Sequence, residues 1–405
     1  MQFIDGGVTA PKGFTANGML CKIKESSTKN DLALVFSEKL CNAAGVFTQN
    51  KVKAESVKLT KENIANGKAQ AVIANSGNAN ACTGEQGAKV ARKMASLAAD
   101  VLGINSGDVI VYSTGVIGRQ LPVEKIEKNI QFLKDGLSKE GHKEARTAIM
   151  TTDTHYKECA VQTVIGGKTV IIGAMAKGSG MIHINMGTML SVMTTDCAIS
   201  SQMLEKALRK SVAGTYNCVS IDGDTSTNDS LTILANGMAE NEVITADSES
   251  YKTFAEALHE INEYLAKKIA GDGEGATALF EVTVVGADTK ETAKTLAKSI
   301  VCSNLTKTAI AGHDANWGRI LCAMGYSGAQ FDPEKVDLFF ESKAGKIQII
   351  ENGTAVDYSE EKATEILSQE EVKAVADVKM GSESATAWGC DLTHGYIDIN
   401  ADYRS

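Results

Sequence analysis

The apolar run TVIIGAMA at 169–176 ends in Lys177, and the chain then enters KGSGMIHINMGTMLSVMTTD (177–196), with glycines at 178 and 180. Alternation up to Lys177 predicts a strand whose end carries an amine, followed by a loop. That loop holds Met181, Ile182, Ile184, Met186, Met189, Leu190, Val192 and Met193, too many apolar residues for a surface linker. A buried loop must find partners for its backbone polar groups, so a chain that keeps one uses it. At its centre Gly187 precedes Thr188, and with no side chain on residue 187 a hydroxyl can reach the preceding carbonyl. This geometry suits self-cleavage, and the rest of the fold has to be built around it.

KGSGMI, NMGTML and the trailing TTD resemble the processing segment of the ornithine acetyltransferase family, the bifunctional glutamate N-acetyltransferases. The resemblance runs from NSGNANACTG (75–84) to the terminal YRS. It implies a cut between Gly187 and Thr188, with Thr188 as the new N-terminal nucleophile. Fragments 1–187 and 188–405 would stay together as an α2β2 heterotetramer. The fold it implies is α/β: an αββα sandwich of the autoprocessing aminopeptidase type over residues 1–282, then a smaller C-terminal α/β domain at 283–405. Two departures from the family stand near the cut. His183-Ile184-Asn185 occupies the place of an HPN or APN run, and Gly187 replaces the more common Ala.

Composition narrows the function classes. A chain of 405 residues with 43% hydrophobic content buries a large core. Fifty acidic against 41 basic residues, a net charge of -9, argue against a nucleic-acid surface. The nine cysteines (21, 41, 82, 159, 197, 218, 302, 322, 390) are never spaced CxxC, so they read as buried thiols and not as a zinc site or disulfide framework. No apolar run approaches the ~20 residues that span a bilayer, and the start MQFIDGGVTAPKGF does not look like a signal peptide. The expectation is a soluble, cytoplasmic, small-molecule enzyme.

With three prolines and 37 glycines, turns are made mostly by glycine. Strands are expected at 31–37, 71–76 and 109–114, and Val90, Met94, Leu97 and Val101 mark a helix covering a sheet. A second helix, 122–137, starts at Pro122. Strands 158–164 and 168–177 flank a Gly166-Gly167 hairpin turn. GKT at 167–169 belongs to that hairpin and not to a phosphate-cradling loop, because position 162 is Gln. Phe254, Leu258, Ile261, Leu265 and Ile269 form an amphipathic helix stopped by Gly271. Beyond it come a helix at 292–301, strands DLFFES and KIQIIENGT, an acidic helix at 358–367 and a last strand at 393–405.

The resemblance also assigns residues. STGVIG (113–118) follows a strand, and its Thr114 and Gly115 correspond to the family's oxyanion hole; read alone, Ser-Thr-Gly is only a loop. The family's substrate-contacting threonine falls on Thr151, with Thr152 an alternative. Lys177, otherwise a surface lysine at a strand end, would hold a substrate carboxylate and lower the pKa of the nucleophile's amine by like-charge repulsion. Glu274, in the glycine-rich GDGEG loop, would take the cationic amine of ornithine, and the tail would bring Asn400 and Ser405 to the site. NSGNANACTG would line the active-site region and DGDTSTND (222–229) form its wall, with no metal on Asp222, Asp224 and Asp229 because a closing Glu is missing. His183 and Cys197 read as a structural histidine and a packed thiol.

Once Thr188 is N-terminal, its own amine, with an ordinary pKa of ~7.7–8, can accept the hydroxyl proton without a histidine. The implied reaction passes acetyl from N-acetylornithine to Thr188 and then to glutamate, with no cofactor. Acetyl-CoA remains open as a first donor. An autoprocessed aminopeptidase or amidase, with water as acceptor, is the competing enzyme reading, and an unprocessed binding protein the non-enzyme one.

Overall fold

The computed structural model describes residues 1–183 and 189–401; Gly187, Thr188 and Ser405 lie outside the described residues. The chain forms two compact units. The first comprises 1–178, 185–213 and 225–265, and the second 179–184, 214–224 and 266–405. They do not follow one cut in the sequence, and a strand, 279–287, runs through the boundary expected after residue 282.

In the first unit the strands are β1 (Gln2–Ile4), β2 (Phe14–Met19), β3 (Leu32–Phe47), β4 (Lys68–Asn75), β5 (Val109–Ser113), β6 (Lys157–Ile165), β7 (Lys168–Lys177), β9 (Leu190–Thr195) and β11 (Ser230–Ala235), while β8 (Ile182–His183) and β10 (Ser220–Thr225) pair with each other outside this sheet. The order is β1-β6-β7-β9-β11-β3-β4-β5, with β2 against β3. β3 has 16 residues: its first half pairs with β2, its second with β11, and its register to β4 shifts between Phe36 and Cys41. That irregularity lets one sheet turn back over itself.

Period-two alternation then feeds two cores. Leu32, Leu34, Ala71, Ile73, Val109 and Val111 point to one side and meet Val90, Met94 and Leu97 of α2 (Gly84–Leu102) and Ile126, Ile130 and Leu133 of α3 (Val123–Asp135); α1 (Glu55–Asn63) precedes them. Ala33, Val35, Val72, Ala74, Ile110 and Tyr112 point to the other side, where Met175, Leu190, Val192 and Leu234 of β7, β9 and β11 close over them. The layers are therefore helix, strand, strand, in a mixed α/β fold of the class the resemblance implies. Met94, Ile126 and Leu133 are fully buried, and each contributes roughly 1.5–3 kcal/mol. Tyr112 spans the two strand layers, its hydroxyl 2.8 Å from Thr232 Oγ1 and 3.1 Å from the Ser191 carbonyl. α4 (His142–Ala148) and α5 (Ser201–Gly214) complete this unit with most of α6 (Glu249–Gly271), where Asn262 Nδ2 donates to Ser211 Oγ at 2.8 Å.

The second unit contains a sheet ordered β15 (Thr354–Ala355), β14 (Gly345–Glu351), β13 (Asp337–Ser342), β16 (Glu371–Asp377), β12 (Leu279–Ala287), β17 (Glu383–Cys390), with α7 (Lys290–Cys302), α8 (Asn304–Ala311), α9 (Trp317–Gly325) and α10 (Glu360–Leu367). One expectation is overturned here: the last segment is a helix, α11 (His394–Ala401), and not a strand. Its apparent alternation packs nothing, since none of its residues is buried. Its links recur at helical spacing instead: Tyr396 and Asn400, four apart, reach Asp222 and Glu274, and Asn400 Nδ2 also donates to the Tyr396 carbonyl at 3.0 Å.

Candidate active site

In the first unit the loop after β5 is held by the run that follows β4. Thr114 N–H donates to the Asn75 carbonyl (3.0 Å) and Ala79 N–H to Val116 (3.0 Å), while Asn78 Nδ2 reaches the Arg119 and Gln120 carbonyls. Gly115 has φ +130°, and a Cβ there would overlap the Gly77 and Asn78 backbone, so only glycine fits. Among the described residues neither the Thr114 hydroxyl nor the Gly115 N–H finds an acceptor. Two adjacent donors on a rigid loop can stabilise a developing oxyanion without reorganising.

The start of β9 is brought to this loop by residues 228 and 229. Asn228 Nδ2 donates to the carbonyls of Ser113 (2.7 Å) and Ala79 (2.6 Å). Asp229 accepts from the Ser226 hydroxyl and from the N–H of Met189, and Ser230 N–H returns a bond to the Met189 carbonyl at 3.0 Å. Asp229 is buried, its Oδ2 has no partner among the described residues, and burial lifts it well above the usual carboxylate range against the pull of Ser226, Lys177 and Met189. Sheet register sets Lys177 beside Leu190 and Leu190 beside Ser230, so the ends of β7 and β11 flank the start of β9.

Lys177 is 9% exposed and belongs to a buried charge cluster. Asp153 Oδ1 accepts from Lys157 Nζ and from the Gly178 N–H, both at 2.7 Å, and Oδ2 from the Thr151 N–H at 3.1 Å. Burial alone would raise this carboxyl; the ammoniums of Lys177 and Lys157 and the two bonds at Oδ1 hold it at about 2. One carboxylate thus orients the backbone at Thr151 and at the residue after Lys177.

In the second unit Glu274 is buried at 8% exposure, with its N–H on the Ser179 carbonyl (2.9 Å) and Asn400 Nδ2 on Oε2 (2.8 Å). Gly180 lies so close that a Cβ would overlap the Glu274 carboxylate. Asp222 spends its carboxylate on the N–H groups of Met181, Ile182 and Asp224. His183 Nδ1 is 3.1 Å from Ser220 Oγ and 3.6 Å from Cys302 Sγ, and burial, with Lys298, lowers its proton affinity.

A model of the ArgJ family matches residues 15–405. The chain belongs to the ArgJ family. It is 50% identical over 405 residues to the arginine biosynthesis bifunctional protein ArgJ of Caldanaerobacter subterraneus subsp. tengcongensis, covering 100% of both chains. To the protein of the same name from Symbiobacterium thermophilum it is 51% identical over 406 residues, again covering 100% of each. Among solved structures, the ArgJ of Bacillus halodurans is 44% identical, with 51% of this chain and 96% of that chain covered and a TM-score of 0.49.

Within this ArgJ-family chain, Thr114, Gly115, Thr151 and Lys177 lie in the first unit, tied through Asn228, Asp229 and Asp153. Glu274 and Asn400 touch each other in the second. Cys197 is a packed thiol, pushed up to about 12 by burial and then by Asp196. Sequence reasoning passed over Asp153, Lys157 and Asn228. The signal was present for Asp153, which ends the same TTD triplet that supplied Thr151. Asn228 falls in the DGDTSTND run expected to wall the site, but only its amide on the Ser113 carbonyl singles it out.

Proposed function

We propose that this protein transfers acetyl from N2-acetylornithine to glutamate, giving ornithine and N-acetylglutamate, through an acetyl-Thr188 intermediate. Membership of the ArgJ family supports the reaction class. The observation that carries the residue assignment is the Asn228–Asp229 bridge. One residue binds the loop bearing Thr114 and Gly115, the next binds the backbone N–H directly after position 188.

In the first step the Thr188 hydroxyl attacks the Gly187 carbonyl and the Gly187–Thr188 C–N bond breaks, freeing the Thr188 amine and leaving an ester, which water then opens to a carboxylate on Gly187 and the free hydroxyl of Thr188. That amine then takes the hydroxyl proton as oxygen attacks the acetyl carbonyl. Thr114 Oγ and Gly115 N–H receive the oxyanion, ornithine leaves with the proton, and glutamate repeats the attack in reverse. Lys177 and the Thr151 hydroxyl would take the substrate carboxylate, Glu274 with Asn400 the side-chain amine, and Ser405 would join them. Acetyl-CoA is a possible first donor in the same site. The two fragments would associate as an α2β2 heterotetramer in the cytoplasm; among the described residues no helix is long and apolar enough to cross a membrane.

N-terminal sequencing of mature protein should give a second terminus beginning Thr-Met-Leu. N-acetylornithine with labelled glutamate should give labelled acetylglutamate, and Thr188→Ala should abolish both cut and transfer. Free acetate without acetylglutamate would mean that water is the acceptor and the enzyme an amidase; a Thr188→Ala variant that still turned over would place the nucleophile elsewhere.

A further inference from the structure

The first unit carries a cleft of about 380 Å³ at the end of β3. Its lining includes Phe47, Thr48, Gln49, Lys53, Lys61 and Arg209, and it contains no carboxylate, although the chain as a whole is at -9. Among the described residues Lys53 and Lys61 have no carboxylate partner, and Arg209 pairs only along its own helix, with Glu205 at 2.8 Å. Lys61 stands 5.3 Å from the Phe47 ring centroid. Burial, and then the charges of Lys53 and Arg209, loosen its proton. Three cations facing one cavity repel each other, and an anion in that cavity removes the repulsion.

We propose that this cleft binds the diphosphate of a nucleotide, with the Arg209 fork and the Lys53 and Lys61 ammoniums on the phosphates and Phe47 as an apolar wall. Arginine matches phosphate oxygens in pairs, lysine supplies point charges, and Gln49 lines the same cleft. The place matters as much as the charge. Phe47 pairs with Ser230, and Ser230 with Leu190. Two strand spacings of ~4.8 Å put the cleft about 10 Å from the start of β9. A nucleotide that carries an acyl group on a long arm could therefore be held here while its acyl end reaches the strand that begins at the proposed nucleophile. That last link rests on the functional reading above; the anion site itself does not.

Calorimetric titration of the wild-type protein with ADP and with pyrophosphate at low salt tests the proposal. Saturable binding is expected, weakening as salt rises, about tenfold weaker in Lys61→Ala or Arg209→Ala and about a hundredfold weaker in the double variant. Lys93→Ala, on the surface of α2, should leave it unchanged. Tighter ADP than pyrophosphate would add a base contact at Phe47, and equal affinities would confine recognition to the diphosphate. No saturable binding, or binding undiminished in the double variant, overturns the site. With acetyl-CoA and glutamate as substrates, the double variant should raise the KM for acetyl-CoA at least about tenfold and leave that for N-acetylornithine unchanged. A wild type that binds ADP yet makes no acetylglutamate from acetyl-CoA keeps the anion site and removes its link to the acyl donor, whereas no acetylglutamate from N-acetylornithine either removes the functional reading.

Discussion

Replacing Asp153 by Asn isolates what the buried charge cluster does. The side chains of Asp153 and Lys157 are fully buried and paired at 2.7 Å. The carboxyl falls from an ordinary 3.8 to about 2, a gap of 3.8 − 2 that at about 1.4 kcal/mol per pH unit is roughly 2 kcal/mol. A depressed carboxyl stabilises the fold above its unfolded pKa, and that contribution disappears as pH falls from about 4 towards 2. Asparagine loses more than this, because it removes one member of a fully buried ion pair, a change that costs about 3–5 kcal/mol. For a unit of this size each kcal/mol moves the melting temperature by about 2–4 °C, so Asp153→Asn should melt roughly 6–20 °C below wild type at pH 7. The gap should narrow steadily between pH 4 and pH 2, where wild type protonates the same carboxyl. Asp153→Leu combined with Lys157→Met should recover only the part of the loss that belongs to the Lys157 pair, since Lys177 and the N–H groups of Thr151 and Gly178 still lose the carboxylate. Melting curves followed by circular dichroism across that pH range suffice. A variant that melts within 2 °C of wild type, or a gap that does not shrink in acid, would refute the account of Asp153 as the anion that neutralises this cluster.

Three further outcomes follow from the geometry. Gly115→Ala forces a Cβ into the Gly77–Asn78 backbone at φ +130°, so kcat should fall about a hundredfold and the melting temperature should drop as the loop shifts; turnover within threefold of wild type would remove Gly115 from the oxyanion hole. Glu274→Gln keeps the shape facing Asn400 but loses the charge, and the KM for N-acetylornithine should rise about tenfold with that for glutamate unaffected, measured by steady-state kinetics. Asp229→Ala removes the acceptor for the Met189 N–H and should cut kcat about a hundredfold at similar KM, whereas Asp229→Asn retains an acceptor oxygen and should stay within about fivefold; equal losses in the two would show that the carboxyl does not act by holding Met189.

Much of this was legible in the sequence. The short apolar runs at 71–76 and 109–114 and the 3.6-residue spacing of Val90, Met94 and Leu97 signal a sheet wall with a helix on it, and those elements form. The hairpin at Gly166-Gly167 was equally plain. The terminal segment misled because Tyr396, Ile397 and Ile399 supply apolar residues without a buried surface to receive them, and polar tethers decided its form. The glycines of KGSGMI advertised a close approach, but only the fold says to what: Gly180 lies against Glu274, 94 residues on (274 − 180). Charge compensation among Asp153, Lys157 and Lys177 was invisible for the same reason, since it depends on where two strand ends meet in space.

The ladder between β7 and β9 bears on how mature protein would behave when heated. Ile172 to Lys177 pair antiparallel with Leu190 to Thr195, on opposite sides of the proposed Gly187–Thr188 cut. Severing the connection leaves that ladder intact, so the native state hardly registers the loss of its hairpin link. The denatured state registers it fully, because two separate polypeptides must then find each other by diffusion before the central strands can re-form. Mature enzyme should therefore melt irreversibly and refold only in proportion to concentration, and its working lifetime should be governed by the height of the unfolding barrier and not by an equilibrium constant.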